Sequence, residues 1–268
     1  MSGHKLKTFF LAVALFVLYE LLTIPYFSIA RLEKENPGET ALMKQRFEEA
    51  EEMGKPLKVV QKWIPLSRLP KHATDAIIVA EDGAFYSHGG IDWFEVRESI
   101  EKNLDKGRFA RGASTITQQL AKNLFLSTSK DPVRKFKEVL ITILLEQFLS
   151  KNRILELYVN VIEWGKGVFG IEAASQKYFG KSASHLTLDE ATRLAAVIPS
   201  PLRHRPNDDS RYVLRRKQIV LRRMEARNFV GGTIKEDTPD SSVEDLLEPA
   251  DSIDVPDTTD IDEERNGL

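Results

Sequence analysis

Residues 8–30 form a run of 23 mainly apolar side chains, interrupted by one carboxylate, Glu20. As a helix rising about 1.5 Å per residue, such a run crosses a hydrocarbon core of roughly 30 Å. The chain is therefore expected to divide into an anchor and a body that folds on one side of a membrane. Lys5 and Lys7 precede the run, and the positive-inside rule then places Met1 in the cytoplasm and the body outside. A cleaved signal peptide has the same flank. This run is long for one, however, and Ser28-Ile29-Ala30 matches a small-x-small cleavage site only weakly, so a retained anchor is the reading. Within lipid, Glu20 calls for a proton or a partner on another helix.

The body must supply its own core. The chain has 268 residues and 42% apolar content, which suffices for one good-sized domain with appendages. Its formal net charge of −2 conceals an asymmetry. Residues 236–268 hold thirteen acidic side chains and one basic, a net of −12, which leaves +10 on residues 1–235. A basic body favours an anionic partner: phospholipid head groups, a pyrophosphate or nucleic acid. The absence of cysteine excludes disulfides and Cys-ligated metals. The expected division is 1–30 for a cytoplasmic stub and membrane anchor and 31–70 for a membrane-proximal segment. Residues 71–230 then form the main domain and 231–268 an acidic, disordered tail.

Most of the body reads as helix. Residues 39–53 put Leu42, Met43, Phe47 and Ala50 on one side, with Gly54 as a stop. Residues 57–66 are more extended and fit either a half-buried strand or a segment at the membrane surface. Residues 73–80 deliver Glu81 at a helix end or loop. Asp92 and Glu95 form a capping-box pattern, Ile91 and Val96 a hydrophobic staple, and Gly107 ends that helix. Asp131-Pro132 opens another, striped by Val133, Phe136, Leu140, Ile143, Leu144 and Phe148. Thr187 and Glu190 mark a further start. Residues 209–228 make a basic helix that packs through Val213, Leu214, Leu221 and Met224. Arg211, Arg215, Arg216, Lys217, Arg222, Arg223 and Arg227 are expected to face outward, toward lipid head groups or solvent. No groove-reading motif accompanies them, so nucleic acid is not the expected partner.

Three strings carry the chemistry: EDGAFYSHGG at 81–90, RGASTITQQLAKN at 111–123 and RKFKE at 134–138. Two separated glutamates with Lys and Arg between them suit a reaction in which a hydroxyl loses a proton while an anionic group departs. Glu81 fits the base, since a glutamate with a pKa of about 4.3 is ionised at pH 7. Asp82, Phe85, His88 and Gly90 frame it. His88 is expected to hydrogen-bond rather than ligate a metal, because its neighbours lack metal-site spacing. Ser114 or Thr115 can cap the next helix and turn its N–H groups toward an anion. Thr115, Gln119 and Lys122 recur at helical spacing, with Asn123 following. Arg134 and Lys135, with Lys122, form a candidate pyrophosphate clamp. Arg134 and Glu138 share one side of their helix, and the bland alternative for them is a surface ion pair of little worth.

Together with KNRILELYVN at 151–160, these strings resemble the peptidoglycan glycosyltransferases, and EWGKGVFG at 163–170 is similar to the monofunctional branch of that family. The resemblance covers roughly residues 60–205. It departs at Gly112-Ala113, where the family usually has two glycines and Ala restricts φ, and at Val159, where the family usually has Leu. It implies a mainly α fold: a lysozyme-like glycosyltransferase domain with a smaller membrane-proximal lobe, preceded by one transmembrane helix.

For function the resemblance implies polymerisation of the lipid-linked precursor, lipid II, into glycan strands with release of undecaprenyl diphosphate. Glu81 corresponds to the catalytic glutamate that deprotonates the acceptor 4-hydroxyl, and Glu138 to the family's second functional glutamate. Three roles for Glu138 remain open: orienting the cations, holding a divalent metal (Mg²⁺ or Mn²⁺) beside the pyrophosphate, or assisting leaving-group departure. Asp82, Phe85, His88, Ser114, Thr115, Gln119, Lys122, Asn123, Arg134 and Lys135 are the expected substrate-binding set. Partners implied are lipid II, the growing glycan, the plasma (inner) membrane and cell-wall synthesis or division proteins. The alternatives are a lysozyme-like glycan-cleaving enzyme, with Glu81 as acid, and a catalytically silent membrane-anchored scaffold. Glycan cleavage would not require the basic cluster, and a scaffold would not require both glutamates.

Overall fold

Pro25 divides the long apolar run. Helix α1 (Gly3–Leu22) stops ahead of it, and a short second helix, α2 (Tyr26–Arg31), starts just after it. Proline lacks the N–H that would continue the first helix, which is the physical reason for the break. The computed structural model describes residues 3–106, 114–129 and 131–227. Within them the protein is mainly α-helical.

The large side chains of α1, Phe9, Phe10, Leu15, Phe16 and Leu18 among them, are exposed, an arrangement compatible with membrane anchoring. Its length of 20 residues corresponds to about 30 Å. By contrast, Ile29 of α2 is fully buried in the main core. The expected anchor to residue 30 thus contains a break: α1 ends at Leu22, and α2 packs Ile29 into the core.

Helix α3 (Ala41–Glu52) is capped by Thr40, whose hydroxyl accepts the Met43 N–H. It buries Leu42, Met43 and Ala50 but leaves Phe47 largely exposed, against expectation. Strand β1 (Val60–Gln61) is the only part of residues 57–66 to join a sheet. Asn160 holds the following chain by accepting the Ile64 N–H and donating to the Ile64 carbonyl.

Helices α4 (Lys71–Glu81), α5 (Trp93–Lys106), α6 (Ile116–Phe125), α7 (Pro132–Phe148) and α8 (Lys151–Val161) follow. The expected caps are in place at α5 and α7: Asp92 accepts the N–H groups of Phe94 and Glu95, and Asp131 those of Val133 and Arg134. Each such cap stabilises its helix by about 1 kcal/mol. Helix α8 is the centre of the body. From Ile154 onward every residue but Glu156 is buried, so its neighbours α6 and α9 pack on an almost wholly apolar rod.

Strands β2 (Glu163–Gly165) and β3 (Val168–Phe169) form an antiparallel pair, and β1 lies parallel to β3, giving the order β1-β3-β2. Helices α9 (Ile171–Phe179), α10 (Leu188–Val197) and α11 (Arg211–Ala226) complete the body. Thr187 and Glu190 cap α10 reciprocally.

The basic helix α11 packs on α4 and α10, and two of its cations turn inward rather than outward. Arg216 Nε donates to the Ala196 carbonyl at 3.1 Å, and Lys217 pairs with Asp189. Exposed Arg227, just past the helix, donates to the Gly83 carbonyl. The expected helix stop at Gly107, the Gly112-Ala113 departure and the acidic tail lie outside the described residues.

Candidate active site

Helix α4 ends at Glu81, and Asp82 leaves it in an extended conformation with φ −161°. That turn buries the Asp82 carboxylate. Its Oδ1 lies 2.9 Å from His88 Nε2, and its Oδ2 accepts the Ile116 N–H at 3.0 Å. Gly90 N–H donates to His88 Nδ1 at 3.1 Å. Because an N–H can only donate, the ring proton sits on Nε2 and points to Asp82. His88 thus orders the turn through both ring nitrogens.

The first turn of α6 is closed by Thr115, which forms a capping box with Gln118. The Thr115 hydroxyl also donates to the Gly90 carbonyl at 2.6 Å. Gly90 has φ +88°, and a Cβ there would lie 2.7 Å from Thr142 Cγ2 and from Glu146 Cγ. Only glycine fits that closure. At this helix start the N–H of Ile116 is taken by Asp82, that of Gln118 by Thr115 and that of Thr115 by Gln118. The anion at this helix N-terminus is the protein's own aspartate.

Glu81 is half-buried beside this frame. Its Oε2 accepts from Gln119 Nε2 at 2.9 Å, and Gln119 Oε1 accepts from the Tyr158 hydroxyl at 2.9 Å. Burial raises the Glu81 pKa above the ordinary carboxylate range, while the Gln119 hydrogen bond and the charges of Arg216 and Lys122 pull it back.

The second carboxylate is built into the start of α7. Glu138 is only 3% exposed. Arg134 Nη1 donates to its Oε2 at 2.5 Å, and Lys135 pairs with its Oε1. Arg134 Nε is fixed in turn by the Ser129 carbonyl. The Arg134–Glu138 pair is therefore a buried network and not a loose surface contact. Lys135 Nζ also lies 3.5 Å from Ser114 Oγ. Lys122, half-buried on α6, makes no hydrogen bond or ion pair among the described residues, so its N–H groups remain available to a ligand. Burial lowers its pKa, Glu138 and Glu81 raise it, and Arg134 and Lys135 lower it further. Asn123 is buried, and Phe85 is fully so, beneath Lys151 Nζ at 4.5 Å from its ring centre. These two support the site from below.

Glu81, Lys122 and the Glu138 network of Arg134 and Lys135 thus lie close enough to act on one another's charge. The transglycosylase family model matches residues 49–225. The chain belongs to the transglycosylase family. Among its relatives, the biosynthetic peptidoglycan transglycosylase of Janthinobacterium sp. (strain Marseille) is 42% identical over 81% of this chain and 94% of its own length. Proteins of the same description from Dechloromonas aromatica and Nitrosospira multiformis are each 46% identical, over 71% and 70% of this chain and 83% and 82% of their own lengths.

Three site features of this transglycosylase escaped sequence reasoning. Tyr158 is a core residue of α8, and a buried phenol calls for a hydrogen-bond partner, which was the available signal. Arg216 was one of six basic residues on α11, and nothing in the string distinguished it. Glu146 accepts from Thr117 at 2.5 Å and Lys151 at 2.8 Å, bracing the floor under Gly90. Both Glu138 oxygens are held by cations, so as arranged the carboxylate offers no free oxygen to a divalent metal.

Proposed function

We propose that this transglycosylase extends peptidoglycan glycan strands from lipid II, releasing undecaprenyl diphosphate, with Glu81 as general base. The observation that carries the reading is the pairing of a half-buried carboxylate, steadied by Gln119, with the cluster of Lys122, Arg134 and Lys135. In the reaction, Glu81 takes the proton of the acceptor sugar's 4-hydroxyl. The oxygen attacks C1 of the donor sugar, and the C1–O bond to the pyrophosphate breaks. Its electron pair leaves on the pyrophosphate oxygen, where the cations offset the developing charge. Glu138 holds Arg134 and Lys135 in register for that task.

A raised pKa on Glu81 would also serve a glycan-cleaving acid, but an uncharged leaving group has no use for the cations. Helix α1 is the anchor in this reading, with its N-terminus cytoplasmic and the body on the outer face of the inner membrane, where the precursor is presented. The test is Glu81→Gln, which keeps shape but accepts no proton. Polymerisation of purified lipid II should fall by about 100-fold or more. Near wild-type polymerisation by this variant, or cleavage of finished glycan by the unaltered protein, would overturn the proposal.

A further inference from the structure

One hydroxyl reaches the site from the apolar centre of the body. Tyr158 is fully buried on α8, yet it is linked through Gln119 to Glu81 by two hydrogen bonds of 2.9 Å each. An amide has one donor end and one acceptor end, so the order of this chain carries information. An ionised Glu81 can only accept and must face the amide N–H. Gln119 Oε1 then faces Tyr158, which must donate. Burial, with Glu81 and Asp82 nearby, holds the Tyr158 pKa well above the ordinary phenol range, so the proton it donates stays in place. Turning the amide over would set Oε1 against the carboxylate and strand the phenolic O–H inside the core, and both are unfavourable.

The geometry points to Tyr158 as a positioning residue that locks the Gln119 amide with its N–H toward Glu81; the inference rests on Glu81 being the base. One carboxylate oxygen is thereby fixed as an acceptor from Gln119. The other, Oε1, has no hydrogen-bond partner among the described residues and is left for the substrate hydroxyl. Tyr158 also strengthens the N–H it lies behind, because donation to the amide oxygen polarises the amide. The other charged groups acting on Glu81 are Arg216 from α11, Lys122 from α6 and the adjoining Asp82. Helix α10, which also packs on α4, contributes no charge among them.

The test is the pH dependence of polymerisation for the unaltered protein, Tyr158→Phe, Gln119→Ala and the double variant. Tyr158→Phe keeps the ring that fills the core but frees the amide to turn. Activity at the acid end should fall about threefold to tenfold, the worth of one hydrogen bond. That loss should shrink toward alkaline pH as Glu81 ionises. Gln119→Ala removes the same N–H and should move the acid limb the same way, and adding Tyr158→Phe to it should move the limb no further. A uniform loss at every pH, or an equal shift without Gln119, would overturn the inference. Glu81→Gln, run alongside, separates the two readings. If that variant polymerises, the base assignment and the relay fall together. If it is inactive while the Tyr158→Phe limb stays in place, only the relay falls.

Discussion

The Glu20 carboxylate lies 2.5 Å from the ammonium group of Lys137, joining the apolar helix α1 to α7 in the body. Their side chains are 12% and 23% exposed, so the pair is largely desolvated. It supplies the partner that a carboxylate in an apolar run requires. Lys137 lies on the same two turns of α7 as Arg134, Lys135 and Glu138. Further along α7, Phe148 meets Tyr26 of α2 edge-to-face with ring centres 5.1 Å apart. Helices α1 and α2 are thus each tied to the cation-bearing helix.

Lys137→Met should leave the Glu20 charge stranded and lower stability by about 1–3 kcal/mol, between the values for exposed and buried pairs. Reversing both charges, Glu20→Lys with Lys137→Glu, should recover most of that loss. Thermal unfolding of the full chain in detergent micelles measures both. Independent, additive losses for the two reversals would show that the pair contributes nothing as a pair.

Glu81 should cost stability in return for reactivity. Burial raises its pKa in the fold above that of a free glutamate, so the folded state binds the proton more tightly than the unfolded chain. Stability contributed by this group is therefore complete below about pH 4.5 and declines as pH rises through the folded-state pKa. Glu81→Gln removes the buried charge. It should melt at a higher temperature than the unaltered protein at pH 7.5, with the difference vanishing near pH 4. An equal difference at both pH values would contradict the sign worked out here.

The two cations nearest the proposed leaving group should respond differently. Lys122 is held against burial without a direct partner, so Lys122→Ala should lower the rate of transfer about 10-fold or more while leaving unfolding within about 1 kcal/mol. Arg134→Ala removes one of the two cations on the buried Glu138 carboxylate. It should slow transfer and also destabilise the fold by about 2–4 kcal/mol. Paired measurements of polymerisation rate and denaturant midpoint distinguish these outcomes. Binding of an analogue lacking the pyrophosphate should be unaffected by Lys122→Ala.

The sequence by itself determined much of this protein. The order of its three motif strings, the caps at Thr115, Asp131 and Thr187 and the helical class were legible because caps and helix spacing are local physics, set by residues within four positions of one another. The end of α1 was also written there, in Pro25, but the hydropathy of the surrounding run masked it. What only the tertiary structure decided are the meetings between distant strings. Asp82 fills the N-terminus of α6 from 34 residues away, Tyr158 reaches Gln119 from 39, and Lys137 of α7 answers Glu20 of α1. Helical spacing states which side chains share a face. The partner of that face follows from packing, where a buried polar group takes whichever donor or acceptor the fold brings within about 3 Å.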